Sequence, residues 1–195
     1  RPHPPSAHLP KLACNPSHSL SADSVETTGS RDKNAYERFS LTGELSQEKT
    51  NWNYGTRINL TREKTGLPGA LTEANYNADP TATSSQAKAK EARNSIEGFI
   101  SGDKLAAELT VSKKHQEYIS TDFGLFESES DLNTVSLTPR VNRQYGKNTV
   151  IAGIDLYQTK LDAKSTFSSQ SAKQKSQAAY ITDTIALRKD TSLNL

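Results

Sequence analysis

Hydrophobic and polar residues alternate along the segment 52–60, which reads Trp-Asn-Tyr-Gly-Thr-Arg-Ile-Asn-Leu. Its large apolar residues all fall on positions of the same parity: Trp52, Tyr54, Ile58 and Leu60. Successive side chains of a β-strand point to opposite faces, so the segment predicts a strand with one apolar and one strongly polar face. Such a strand suits a soluble sandwich. It also suits a membrane barrel, whose apolar side meets lipid and whose polar side meets a wet lumen.

The same alternation recurs along the chain and predicts a series of hairpins. The predicted strands cover residues 39–46, 52–61, 95–101, 105–112, 135–142, 152–157, 179–187 and 192–195. Short turns alternate with long polar connections at 62–93, 113–132 and 158–176, and we expect a short helix at 86–93. Regular alternation of short and long connections is typical of a transmembrane barrel, with short turns on the periplasmic side and long loops outside.

The polar face of these predicted strands is rich in charge. Its charged members are Glu44, Arg57, Glu97, Glu108, Arg140 and Asp155. These groups would be costly to bury in a dry core but are ordinary in a water-filled or plugged lumen. On the other face, Trp52 and Tyr54 follow a short turn, which is the position of a periplasmic aromatic girdle.

Composition limits the possible classes of protein. The 195-residue chain is 33% hydrophobic and carries 24 basic and 22 acidic residues without a clustered basic surface, so nucleic acid is not an expected partner. No apolar run approaches the ~20 residues that a transmembrane helix needs. Residues 1–34 are rich in Pro, Ser and His, and we expect them to be poorly ordered. His3, His8, Cys14 and His18 do not have the close spacing of a zinc site, so no metal is predicted.

Five pieces of sequence between residues 28 and 195 resemble the barrel of TonB-dependent outer-membrane receptors. They are 29–34; 66–71 with Tyr76 and 78–80; 136–140; the Gly-x-Asp-x-Tyr strand within 152–157; and the Tyr-x-x-Asp-x-x-x-Leu strand within 179–187. Family members have about 22 strands around a plug. The resemblance therefore implies an all-β, antiparallel up-and-down meander that forms about eight strands of a larger transmembrane β-barrel. Residues 1–34 and 35–195 would be its poorly ordered segment and its barrel segment.

The resemblance also implies a function, which is energy-coupled uptake of a siderophore-like metal complex or small cofactor across the outer membrane of a Gram-negative bacterium. Expected partners are outer-membrane lipid, that ligand and an inner-membrane energy-coupling protein. Candidate ligand-binding residues lie in the outer loops and upper lumen: Arg57, Asn59, Leu67, Pro68, Tyr76, Phe123, Phe126 and Tyr157. Each of them also suits a generic role in lumen or loop packing.

Two other classes of function remain open at this point. One is a soluble or surface-attached β-sheet binding module without transport activity. Solubility as a monomer in the absence of detergent would favour this class. The other is an enzyme, for which the sequence offers little. His115 lies in a polar run, and neither a G-x-S-x-G nor an H-E-x-x-H motif occurs. We therefore predict no enzyme activity, no catalytic residue and no cofactor.

Overall fold

The computed structural model describes residues 15–122, 124–188 and 191–194, which form one ten-stranded antiparallel sheet and one short helix. The strands are β1 (Asn15–Thr27), β2 (Tyr36–Lys49), β3 (Trp52–Leu67), β4 (Ala87–Gly102), β5 (Leu105–Ser120), β6 (Phe126–Leu137), β7 (Arg140–Tyr145), β8 (Asn148–Ser165), β9 (Ser169–Arg188) and β10 (Thr191–Asn194), and helix α1 is Glu73–Ala78. Within these residues, no helix has the length and apolar character required to cross a membrane.

Each strand pairs with its neighbour in the chain, in the order β1-β2-β3-β4-β5-β6-β8-β9-β10, and β7 pairs with β5 and β8 beside β6. Strands β6 and β7 are thus two halves of one strand position, separated at Pro139, which has no backbone N–H to donate to a ladder. Leu137 lies opposite Leu109 before the break. Val141 lies opposite Leu105 after it, four residues further along both strands, so the register does not slip. The predicted fold class, an all-β antiparallel meander, is confirmed.

The predicted long connections at 113–132 and 158–176 are wrong, because strands extend through most of both segments. Strand β5 continues to Ser120 and β6 begins at Phe126, while β8 continues to Ser165 and β9 begins at Ser169. Both faces of these extensions are mostly polar, and their few apolar residues do not alternate regularly, so they show no hydrophobic period. They are held instead by ladder hydrogen bonds and by cross-strand pairs, such as that between Lys90 Nζ and Glu117 Oε2 at 2.8 Å.

Residues 68–86 remain a long connection, but its helix is α1 and not the predicted helix at 86–93. The Ala, Lys and Glu residues of 87–93 favour a helix by propensity. In the structure they belong to β4, where they pair with β3 on one side and from Lys88 onward with β5 on the other. Sheet pairing on both sides overrides a propensity of a few tenths of a kcal/mol per residue.

The N-terminal segment also departs from expectation. Residues 15–27 form β1, which pairs along its whole length with β2, although the sequence predicts poor order throughout 1–34. The segment contains few apolar residues, and its order comes from the neighbouring strand rather than from a pattern of its own. Residues 1–14, with His3, His8 and Cys14, lie outside the described residues. The division into segments 1–34 and 35–195 stays a prediction.

The register places apolar residues of adjacent strands on one face. Directly opposed residues of an antiparallel pair share a face. In one cross-strand row Ile58, Ile96, Val111 and Val135 follow one another, and in the next Leu109, Leu137 and Leu156 do so. We call this apolar set, with Leu41, Trp52, Tyr54, Leu60, Ile100, Ile154, Ala179 and Ile181, the apolar band, and the face that carries it the band face. The opposite, polar face carries Glu44, Arg57, Glu108, Arg140 and Asp155, so the predicted faces are confirmed.

No second layer covers the apolar band within the described part of the chain. Large apolar side chains on it are exposed, for example Ile181 at 72% and Ile96 at 51%. The buried hydrophobic residues, Ala87 and Phe99, both lie on the polar face. The sheet therefore presents a broad apolar surface without a core beneath it, which a soluble monomer rarely does.

The apolar band runs diagonally across the strands. Its edge toward the 68–86 connection is Leu60 on β3, and the row through Leu60 reaches β9 at Lys173. On β9 the band begins only at Ala179, six residues further along the strand. From β3 to β9 the edge of the band therefore shifts by about 20 Å along the strands, across five strand spacings that add up to about 24 Å. If the band is level, the strands are tilted by about 40° from its normal. Strands of closed barrels tilt by about 35–45°.

Connections at the two ends of the sheet differ. At one end, which we call the long-loop end, lie the connections 28–35, 68–86, 121–125 and 166–168. At the other, the short-turn end, lie the tight turns 50–51, 103–104 and 146–147. The predicted separation of longer loops from short turns is therefore present, although only 68–86 is long.

Candidate functional site

Arg57 is the centre of an ion-pair cluster on the polar face. Its Nε lies 2.8 Å from Glu44 Oε2, and its Nη1 lies 2.6 Å from Glu97 Oε1. The three residues meet because Glu44, Arg57 and Glu97 lie directly opposite one another on β2, β3 and β4. The guanidinium also lies 4.2 Å from the centre of the Phe99 ring. The predicted site residue Arg57 is thus already paired with two carboxylates.

Phe99 packs over a glycine of the neighbouring strand. A Cβ added to Gly55 would lie 2.8 Å from the Phe99 ring, and it would also overlap the backbone of Leu45. Gly55 therefore provides the space in which Phe99 becomes buried on an otherwise polar face. Position 55 has the parity of Arg57, which predicts that Gly55 lies on this face, but no residue pattern predicts that an aromatic ring covers it.

The other predicted residues of the polar face do not join Arg57 in one pocket. Asn59 lies one row nearer the long-loop end, where its amide group donates to Ser95 Oγ at 3.4 Å. Tyr157 lies in the same cross-strand row as Arg57, but on β8, four strand positions away. At ~4.8 Å per strand the two backbones are about 19 Å apart along the sheet. The polar face thus carries separate groups along a wall rather than a closed site.

At the long-loop end, Arg31 binds three carbonyl groups of the 68–86 connection. Its guanidinium donates to the oxygens of Gly69 at 2.6 Å, Ala82 at 2.9 Å and Pro68 at 3.3 Å. Arg31 lies between β1 and β2. One side chain therefore fixes the course of the neighbouring loop at Pro68, a predicted ligand contact. Leu67, also predicted as a loop contact, is instead the last residue of β3.

Asp122 holds the other side of the same loop. Its carboxylate accepts hydrogen bonds from Ser85 Oγ and from the Gln86 backbone N–H, both at 2.6 Å. The Ser85 hydrogen bond and then the Gln86 backbone hydrogen bond lower the pKa of Asp122. The loop is thus tied to both neighbouring connections, through Arg31 and through Asp122.

Helix α1 presents Tyr76 to solvent at the same end. The helix begins after Thr72, whose hydroxyl oxygen accepts a hydrogen bond from the Asn75 N–H at 3.2 Å, a usual N-cap arrangement. Tyr76 is 58% exposed. Pro68 and Tyr76 therefore lie in the 68–86 connection and Leu67 at the adjacent end of β3, and their role as ligand contacts stays a prediction.

Phe126 belongs to an aromatic group at the long-loop end. Its ring centre lies 6.0 Å from those of Tyr118 and Phe167. Tyr118 also lines a cavity of about 470 Å³, together with Leu125 and Thr166. Phe123 lies outside the described residues. Tyr118 and Phe167 were not predicted, because nothing in the local sequence shows that the strands bring their rings against Phe126.

The comparisons with known proteins give a likeness in fold. No family model matches the chain, and no curated protein sequence matches it. Among solved structures, the chain is similar to the crystal structure of the ferric citrate transporter FecA in the unliganded form, with a TM-score of 0.60 and 15% sequence identity. The match covers 86% of this chain and 30% of the transporter chain, so the chain spans less than a third of that protein.

Proposed function

We propose that this chain is a segment of an outer-membrane receptor for energy-coupled uptake of a siderophore-like metal complex or a small cofactor. The observation that carries the proposal is the apolar band. It is exposed, it lies opposite a charged face, and it crosses the strands at about 40°, which is the tilt of transmembrane barrel strands.

The height of the band supports contact with lipid. On β3 it extends from Trp52 to Leu60, which is nine residues. At about 3.3 Å per residue and a tilt of about 40°, this corresponds to about 23 Å, close to the ~25 Å apolar belt of outer-membrane barrels. Trp52 and Tyr54 lie at the edge of the band nearest the short turns, where an aromatic girdle would lie at the membrane interface.

The polar face and the long-loop end would then form the path of the ligand. Arg57, Asn59 and Tyr157 would line the lumen, and the proposed outer contacts are Leu67, Pro68, Tyr76, Phe123 and Phe126. The class of ligand rests on the resemblance in sequence motifs and on the likeness in fold to a ferric citrate transporter. The likeness to a transporter is also consistent with the expectation that the chain is not an enzyme.

Uptake would need partners beyond these residues. Strands β1 and β10 are the edges of the described sheet, and an uncovered edge leaves rows of backbone groups unpaired. Further strands would pair with both edges and close the barrel around the polar face. Outer-membrane lipid, the ligand and an inner-membrane energy-coupling protein are the proposed partners, and nucleic acid is not.

Cell fractionation tests the proposal against the alternative of a soluble or surface-attached binding module. The chain is expressed with an export signal in a Gram-negative host, and the outer membrane is separated and extracted. We expect the chain in the outer-membrane fraction, released by detergent but not by alkaline carbonate or high salt. A monomer that stays in solution without detergent would contradict the proposal and support the binding module.

A further inference from the structure

Three side chains of the types that bind metal ions meet on the band face, on the opposite side of the sheet from the polar-face residues described above. They are His115 of β5 with Glu129 and Asp131 of β6, which we call the His115 cluster. His115 follows Val111 of the apolar band by four residues, toward the long-loop end. Because both strands are regular here and Asp131 lies directly opposite His115, the backbone fixes their positions.

The distances within the His115 cluster suit a small divalent cation. His115 Nδ1 lies 3.0 Å from Asp131 Oδ1 and 3.9 Å from Glu129 Oε1, and the three ligand atoms lie within 4.8 Å of one another. A tetrahedral zinc ion bound at about 2.0–2.1 Å separates its ligand atoms by about 3.3 Å. The widest pair, at up to 4.8 Å, must close by about 1.5 Å, so side-chain rotations that move each ligand atom by less than about 1 Å would bring all three atoms to bonding distance.

The second nitrogen of His115 already has the partner that a metal-binding imidazole needs. His115 Nε2 lies 3.2 Å from Glu117 Oε1, and Lys90 Nζ holds the other oxygen of Glu117 at 2.8 Å. A metal ion would displace the proton through which His115 Nδ1 can donate to Asp131 Oδ1. With the remaining proton on Nε2, the imidazole would donate to Glu117 and turn the Nδ1 lone pair toward the ion. Carboxylates in this position orient metal-binding histidines and raise their basicity.

Like charges lie directly opposite each other around this histidine. Glu117 lies opposite Glu129, and Asp131 lies opposite Asp162. Directly opposed like charges destabilise a sheet. Lysine side chains offset part of this repulsion, as Lys113 does 3.0 Å from Asp131 Oδ1. A divalent cation between Glu129 and Asp131 would offset more of it.

Two cavities leave the cluster open to solvent. Glu117 and Glu129 border the cavity of about 470 Å³, and Glu129 and Asp131 border a second one of about 330 Å³. A bound ion would keep open positions for water or for a further ligand. One imidazole with two carboxylates suits zinc and neighbouring first-row metals, whereas calcium takes six to eight oxygen ligands.

We infer that His115, Glu129 and Asp131 form a binding site for a divalent first-row transition metal ion such as Zn²⁺. Glu117 is a positioning residue that orients His115. The site lies on the band face, so it is separate from the ligand path proposed on the polar face, and its existence does not depend on transport.

Metal titration of the full chain in detergent tests this inference. His3, His8 and Cys14 can also bind metals, so every protein carries the replacements H3Q, H8Q and C14S. After treatment with a chelator, Zn²⁺ is titrated by calorimetry and Co²⁺ by its visible absorption. We expect one site, with affinity lowered by more than about 100-fold in H115Q and by about 10–100-fold in E117Q. The matched control H18Q should bind as the parent does.

Circular dichroism checks that each variant keeps its strand content. If H115Q loses its fold, the isosteric variants D131N and E129Q take its place, with the same expected loss and loss of the tetrahedral Co²⁺ spectrum. A parent that binds neither metal, or variants of the cluster that bind as tightly as H18Q, would overturn the inference.

Discussion

Leu109 on β5 lies directly opposite Leu137 on β6, and both side chains are exposed, at 48% and 38%. The neighbouring residue, Glu108, lies on the polar face. Two consecutive residues of β5 therefore lie on opposite faces, Leu109 in the apolar band and Glu108 on the polar face. This adjacency allows the two faces to be compared at almost the same depth.

We expect L109R to impair folding into lipid far more than E108R. Position 109 would face lipid, where an arginine at the bilayer midplane costs about 2–4 kcal/mol, whereas position 108 would face a wet lumen. The measurement is refolding into liposomes of a complete barrel that contains this segment, followed by heat-modifiable gel mobility. Equal losses in both variants would mean that protein covers both faces. Two undamaged variants would mean that this strand does not enter a bilayer.

Gly55 on the polar face and Gly98 on the band face form a pair that tests whether a glycine is needed for the space it leaves. We expect G55A to destabilise the fold by about 1–3 kcal/mol, because the new Cβ would overlap Phe99 and the backbone of Leu45. Nothing lies within 4 Å of a Cβ at Gly98. G98A should therefore be neutral or stabilising by up to about 1 kcal/mol, since glycine weakens a strand interior.

Urea unfolding in detergent, followed by circular dichroism, measures both glycine variants. A midpoint for G55A that matches the parent would show that Phe99 does not lie over Gly55. A loss in G98A as large as that in G55A would show that both positions respond to a general loss of strand flexibility rather than to a contact.

Acid should release the 68–86 loop from Asp122. The pKa of this carboxyl group is lowered in the folded chain, so its anchoring is complete above the usual value of 3.8 and is lost as pH falls through the lower folded value. Pepsin works in this range and can cut near Tyr76. Relative to D122N, we expect the parent to resist cutting at pH above 3.8 and to lose this protection as pH falls through the lower folded pKa of Asp122. A parent that is cut like D122N at every pH would refute the anchor.

The sequence predicts strands well where one face is apolar and fails where both faces are polar. Leu109 and Val111 alternate with charged and polar neighbours, so the sequence predicts the strand up to Ser112. From Lys113 to Ser120 the alternation disappears, and only pairing with β4 and β6 makes the segment a strand. Such pairing depends on residues distant in the chain, which a local pattern does not contain.

The candidate site shows the same limit. The position of Arg57 on the charged face followed from parity alone, but its partners Glu44 and Glu97 required the register of three strands. Arg31 lies in the segment 29–34, one of the five pieces that resemble the receptor barrel, yet its contacts with the carbonyls of Pro68 and Ala82 come from loop geometry. No pattern of residue types predicts which backbone oxygens a guanidinium will meet.

Quenching of Trp52 fluorescence tests the central claim, that the apolar band faces lipid, most directly. Trp52 is the single tryptophan of the chain, so no substitution is needed. The chain is refolded into liposomes whose lipid tails carry bromine at a shallow or a deep position. We predict blue-shifted emission and strong quenching, greatest with the shallow bromine, because Trp52 lies at the edge of the band. Emission typical of water with no quenching at either depth would contradict the account.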